Sequence, residues 1–175
     1  LPSIRADTLR ETVVDKIAAS RKTGFTIAPE AGSERLRDVI NKALSEEQIA
    51  RAAEIVFQRG WHHIKFYYMI GIPTETDDDV MGIVRTARAC QSIGRKYTRK
   101  ADIFVSASTF IPKPFTPFQW EPQIPRQEIL RKQDLLRDEL KKTRLTYRYH
   151  ESRESFLEAV MSRGDRRLCD VVETA

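Results

Sequence analysis

Glu30 stands where an apolar stretch meets Ala31-Gly32-Ser33, and a carboxylate at such a junction can accept hydrogen bonds from hydroxyls or an amine. Pro29 keeps the backbone before it extended. Gly32 and Ser33 supply a small residue and a helix-capping hydroxyl, a pairing that admits a close ligand or an anion. A carboxylate that merely caps the following helix fits these residues equally well. In MIGIPTET a strand ends at Gly71-Ile72-Pro73, and the backbone groups freed there suit the reading of a planar base, with Glu75 placed to support the turn. An ordinary capped turn accounts for Pro73 and Thr76 but not for Gly71.

Other reactive types are less organised. Tyr67 and Tyr68 point to opposite sides of one strand, so at most one lines a site. His62 and His63 diverge in the same way and have no Cys, Asp or Glu at ligand spacing, which makes structural roles the better reading. His150, with Glu151 beside it, has the type but not the defined partner of a general base. The basic segments RKYTRK at 95–100 and RGDRR at 163–167 read first as a solvated loop and as helix-terminal arginines, and second as phosphate contacts.

Positioning these groups requires a repeated strand–helix unit. Strand-like stretches at 3–5, 25–28, 63–72, 102–111 and 145–149 alternate with helix-like ones. Thr8 with Glu11, Ser45 with Gln48, Thr76 with Asp79 and Ser155 with Glu158 have the spacing of capping boxes, and Ser33 that of an N-cap. Gly60 and Gly164 fall where helices stop. The stretch 63–72 is apolar nearly throughout, as a parallel strand covered on both faces would be. Five prolines between residues 112 and 125 define a long loop. No strand is followed by GxGxxG or GxxxxGK, which argues against dinucleotide and P-loop folds. The expected class is α/β, a parallel-stranded partial TIM-like barrel fragment with alternating strands and helices. Residues 1–142 form its later strand–helix units and 143–175 a C-terminal extension. Ligands of such barrels bind at the C-terminal strand ends, where Arg5, 29–33, 71–75 and 112–114 fall.

The chain has 175 residues, 41% of them hydrophobic and 31% charged, and no apolar run approaches the ~18 of a membrane span. Its net charge of +5 is spread along the chain. Cys90 and Cys169 suit reduced thiols in a cytoplasmic protein. The Leu-Pro start suggests a piece of a longer protein.

The strings LPSIRAD, FTIAPEAGSERLRDVINK, YYMIGIPTETDDDV, STFIPKPFTPFQW and SFLEAVMSRGDRR span nearly the whole chain. Together they resemble the later part of the radical S-adenosylmethionine (SAM) core, above all that of uncharacterised radical SAM proteins, or Fe-S oxidoreductases, with an N-terminal cobalamin-binding domain. The resemblance implies an enzyme that reductively cleaves SAM to a 5'-deoxyadenosyl radical acting on an unknown substrate. It implies a 4Fe-4S cluster held by CxxxCxxC, a motif this sequence lacks, and so an inactive isolated fragment; cobalamin is a further implied cofactor. By resemblance, Glu30 contacts the ribose or methionine end of SAM and Lys42 its carboxylate, with Gly32 and Ser33 beside them. Ile70, Gly71 and Glu75 pack the adenine, and Ile111 and Pro112 form an apolar shelf for it. Arg5 and Tyr67 replace the acidic residues of some relatives. Two other expectations compete: a nucleic-acid-binding or scaffolding module, and a barrel hydrolase or lyase using Glu30, His150 and Glu75. Dimerisation through the strand edge left by the missing units is also expected.

Overall fold

The computed structural model describes residues 24–143 and 145–174. Arg5, the strand expected at 3–5 and the capping box of Thr8 lie outside the described residues. Four strands, β1 (Phe25–Glu30), β2 (His63–Ile70), β3 (Asp102–Thr109) and β4 (Thr146–Tyr149), form one sheet in the order β1-β2-β3-β4. Every neighbouring pair is parallel. Helices α1 (Glu34–Val39) and α2 (Glu46–Gln58) join β1 to β2, and α3 (Asp77–Arg95) joins β2 to β3. Helix α4 (Arg126–Thr143) precedes β4, and α5 (Ser152–Arg163) and α6 (Leu168–Thr174) follow it. This is the α/β, partial TIM-like arrangement expected from the alternating periodicity.

The caps explain the helix starts. Ser45 with Gln48 and Thr76 with Asp79 form complete capping boxes, and the Ser33 side chain accepts from the Leu36 amide. Each cap is worth roughly 1 kcal/mol. Helix α5 departs from expectation. It starts at Ser152 behind Glu151, and Ser155 lies buried within it, its hydroxyl donating to the Glu151 carbonyl at 3.3 Å. A hydroxyl inside a helix turns back onto its own backbone when packing against neighbours selects an earlier start.

The core lies on one side of the sheet. Ile64, Phe66, Tyr68 and Ile70 of β2 pack with Ile103, Val105 and Ala107 of β3 against Ile49 and Val56 of α2, Ile83 and Ala87 of α3, and Leu136 of α4. Burial of each large side chain contributes roughly 1.5–3 kcal/mol. The alternate residues Lys65 and Met69 are half-buried and Tyr67 is exposed, so β2 is covered on one face and only partly on the other. Its apolar run had suggested two fully covered faces. The strand also ends at Ile70 rather than 72, because Gly71 turns the chain at a φ of +83°.

Candidate functional site

Parallel order brings the ends of all four strands to one edge of the sheet, and each end is built differently. At β1 the pairing with β2 slips between Ile27 and Glu30, and Glu30 takes a φ of +73°. A non-glycine residue there is strained by about 1–2 kcal/mol. The Lys42 ammonium donates to Glu30 Oε1 at 3.1 Å and to the Ala28 carbonyl at 2.6 Å. Both side chains keep partial exposure, 31% for Glu30 and 23% for Lys42. Behind them the fully buried Arg37 donates to the Ala31 carbonyl at 3.1 Å, to the Leu44 carbonyl at 2.6 Å and to Glu46 at 2.7 Å. That anchor fixes the turn from which Glu30 projects.

Gly32 and Ser33 face α3. A Cβ on Gly32 would stand 2.0 Å from the Asp79 carbonyl oxygen, so the glycine serves the approach of two helices. The Ser33 hydroxyl donates to the Asp79 carboxylate, which also receives Arg35 and the amide and hydroxyl of Thr76. Burial pushes the Asp79 carboxyl up, but these bonds from Arg35, Ser33 and Thr76 outweigh it and hold the group well below the usual carboxylate range. A carboxylate thus fills the place where the sequence pattern had admitted an anion.

At β2 two of the backbone groups expected to be free are occupied. The Gly71 amide donates to Glu75 Oε2 at 2.7 Å, and the Ile70 carbonyl accepts from Phe110 at 2.8 Å. Glu75 also receives the Lys132 ammonium at 2.8 Å, and these side chains are only 2% and 6% exposed. Burial raises the Glu75 carboxyl above its ordinary range, opposed by the bonds from Lys132 and Gly71. Ile124 packs where a Gly71 Cβ would be, 2.6 Å away. Glu75 and Lys132 border a recess of about 630 Å³ between this turn and residues 121–125.

Beyond β3 lies a second cavity, of about 450 Å³, lined by Met69, Ser108, Thr109, Phe110, Ile111 and Phe118, with His150 and the Lys113–Glu158 pair at 2.6 Å among its polar groups. Ile111 and Pro112 are buried at its edge of the fold. Thr109 is 6% exposed, and its hydroxyl has no hydrogen-bond partner. The buried hydroxyls of Tyr68 and Tyr147 are in the same state. Glu75 and His150 border different cavities, so the three groups of the hydrolase expectation are not gathered around one space.

Some side chains of the basic segments are engaged. The Tyr97 hydroxyl donates to Glu54 at 2.7 Å, Arg163 donates to the Glu121 and Gln119 carbonyls, and Arg167 pairs with Asp165 at 2.8 Å. Cys90 is buried, its thiol pushed up to about 12 by burial, while Cys169 is exposed. Among the described residues no group of three His, Cys, Asp or Glu side chains is arranged to hold a metal, and no helix is long and apolar enough to cross a membrane.

Sequence reasoning did not single out Thr109, Lys132 or the connecting role of Asp79. Lys132 carried a signal, since it shares the inward stripe of α4 with Ile129, Gln133, Leu136 and Leu140. A lysine on such a stripe needs a buried acid.

Comparison with known sequences bears on this edge. Residues 2–87 match the family model described as the Radical SAM superfamily, so this stretch carries a domain of that kind. An uncharacterized protein of Methanocaldococcus jannaschii is 35% identical over 168 residues, which are 95% of this chain and 35% of the relative. The chain therefore spans about a third of that curated relative's length.

Proposed function

We propose that this chain is the SAM-binding part of a radical SAM enzyme, an Fe-S oxidoreductase whose cluster ligands lie in sequence beyond these 175 residues. The observation that carries the reading is the edge itself: Glu30 with Lys42, Gly71, and Ile111 with Pro112 end three consecutive parallel strands, and the third of these ends borders the cavity of about 450 Å³ at Thr109 and Ile111. The superfamily match over residues 2–87 agrees with it.

The residues suit SAM and do not suit the cluster. Two cysteines, one of them buried, cannot supply the three thiolates a 4Fe-4S cluster with one open iron needs. SAM, a sulfonium with an adenosine and an amino-acid end, demands an apolar shelf, hydrogen-bond acceptors and a cation. Ile111, Pro112 and Phe110 provide the shelf for the adenine, and the Thr109 hydroxyl a partner for a ring nitrogen. Glu30 accepts from ribose hydroxyls or the ammonium, while Lys42 pairs with the carboxylate by a charge-assisted bond. Ile70, Gly71 and Glu75 shape the wall, the last two by holding the turn rather than by touching the cofactor. Tyr67 stands lower on the same sheet. When bound with a reduced cluster, SAM supplies a 5'-deoxyadenosyl radical for hydrogen abstraction. These side chains contribute orientation and the exclusion of water. Cobalamin has no support among the described residues and is not needed by the reading.

The full-length protein, reconstituted with iron and sulfide without oxygen, reduced and given SAM, is expected to form 5'-deoxyadenosine. Replacing the upstream cysteines should abolish it. A folded, reconstituted protein that neither holds a cluster nor binds SAM would overturn the proposal.

A further inference from the structure

The face of the sheet turned away from α2, α3 and α4 carries two cations that, among the described residues, no carboxylate meets. Strand register places Lys65 beside Phe104 and Thr146 in one row, and Tyr67 beside Ser106 and Arg148 in the next. Paired residues of a parallel sheet share a face, and so do residues two apart, so these six form one lattice. The Lys65 ammonium lies 4.9 Å from the Phe104 ring centroid and 4.9 Å from that of Tyr67, while the Arg148 guanidinium lies 5.4 Å from the same Phe104 centroid. One ring thus gathers two like charges.

Three buried or half-buried cations elsewhere in the fold each meet a carboxylate. Arg37 has Glu46 at 2.7 Å, Lys42 has Glu30 at 3.1 Å and Lys132 has Glu75 at 2.8 Å. Among the described residues Lys65 and Arg148 form no ion pair, though Lys65 is half-buried. An aromatic face attracts a cation only modestly and does nothing to reduce the repulsion between two of them. An anion shared by both would.

We infer that this face is a binding site for a phosphate group, held between Lys65 and Arg148 above Phe104 and Ser106. A phosphate monoester carries −1.5 to −2 charges near pH 7, which matches the two cations, whereas one carboxylate would leave a surplus. Arginine offers phosphate a planar fork of donors and lysine a point charge. The site also has a direction. Ser108 lines the cavity of about 450 Å³ and stands two residues beyond Ser106, about 7 Å along the strand. A molecule anchored by its phosphate on the lower rows reaches upward into that cavity. Resting on the reading of the strand-end edge as the SAM site, the inference names the substrate class: a phosphorylated small molecule held from below, with its reacting part directed toward SAM.

The test is calorimetric titration of the full-length protein with pyrophosphate, and with succinate in a parallel arm. Pyrophosphate affinity is expected to fall at least tenfold in Lys65→Met and in Arg148→Met, variants that keep the apolar stem and remove the charge. Arg148→Lys should retain part of it, and Lys100→Met, in a distant exposed loop, all of it. Thermal melts identify any variant that fails to fold; Arg148, exposed on an edge strand, keeps the test decisive if Lys65→Met is lost. Equal pyrophosphate affinity in folded Arg148→Met and the parent overturns the inference, and so does succinate binding as tightly with the same sensitivity. SAM titrated into the same proteins separates the two readings. Lost SAM binding with an intact pyrophosphate site removes only the function proposed for the strand ends, and the converse removes only this site.

Discussion

Two lysine–carboxylate pairs stand at adjacent strand ends, and burial gives them opposite characters. At the end of β2, Glu75 and Lys132 are 2% and 6% exposed, and the oxygen that receives Lys132, Glu75 Oε2, also accepts from the Gly71 amide. At the end of β1, Glu30 and Lys42 are 31% and 23% exposed, and Glu30 sits at a strained positive φ of 73°. A pair closed off from solvent has no lower-energy state without its partner, because separating it strands a charge in a poor dielectric. A pair open to solvent holds by little, typically 0–1 kcal/mol, and can exchange its partner for a ligand. Similar chemistry therefore yields a brace at one strand end and a movable polar arm at the next.

The largest expected effect comes from breaking the brace. Lys132→Met leaves Glu75 buried without its cation and should cost about 3–5 kcal/mol, seen as a fall in melting temperature of roughly 10 °C for a chain of this size. Adding Glu75→Gln should restore most of that loss. The double variant also has a pH signature. Burial raises the Glu75 carboxyl on folding despite Lys132 and Gly71, so its ionisation costs stability as pH rises from the ordinary carboxylate range toward the raised value. The double variant, lacking this group, should gain on the parent protein as pH rises above the ordinary carboxylate range, about 4; a loss on that rise in denaturant titrations would contradict the assignment of burial as the stronger cause.

Asp79 sharpens the contrast from the other side. Burial is outweighed there by bonds from Arg35, Ser33 and Thr76, so its pKa is lowered on folding. Stability from a lowered carboxyl is present above its ordinary value and is lost as pH falls through the folded one. Asp79→Asn should therefore cost about 2 kcal/mol near pH 7, the worth of hydrogen bonds to a charged group, and the gap to the parent should close as pH falls below about 4. A gap independent of pH would mean that packing, not charge, holds α1 to α3.

Much of the frame was legible because its signals are local. The capping residues Ser45 and Thr76 with their partners Gln48 and Asp79, the apolar strand-like runs of β2 and β3, and the proline-rich loop after β3 each need only a few neighbouring residues to be read. What escaped depends on contacts distant in sequence. Gly32 looked like room for a ligand because its neighbour across 47 positions, Asp79, supplies the carbonyl that fills the space. The Gly71 amide looked free because its acceptor, Glu75, was read as general support for the turn, and the role of Lys132, 57 positions beyond Glu75, was unseen. The β2 run HIKFYYMI looked covered on both faces because Tyr67 and Met69 are apolar enough to pass as core; only the sheet shows that they face the open side with Lys65. Glu30 was legible as a carboxylate at a strand end, but its strain was not, since a glutamate does not announce a positive φ.

That strain yields the smallest effect and the sharpest test of the comparison. Glu30→Gly removes a half-exposed ion pair worth 0–1 kcal/mol and relieves about 1–2 kcal/mol of left-handed strain, so the fold should be unchanged or up to about 1 kcal/mol more stable in denaturant titrations. Glu30→Ala keeps the strain and loses the pair, and should fall slightly below the parent. If Glu30 is the movable arm, both variants and Lys42→Ala should lose SAM affinity in the full-length protein while remaining folded. Glycine would then be the better residue for stability and the worse one for binding, the pattern of a strained position kept for function. Were Glu30→Gly instead as destabilising as Lys132→Met, the pair at β1 would be a second brace, and the SAM contact would have to be sought beside Thr109 and Ile111.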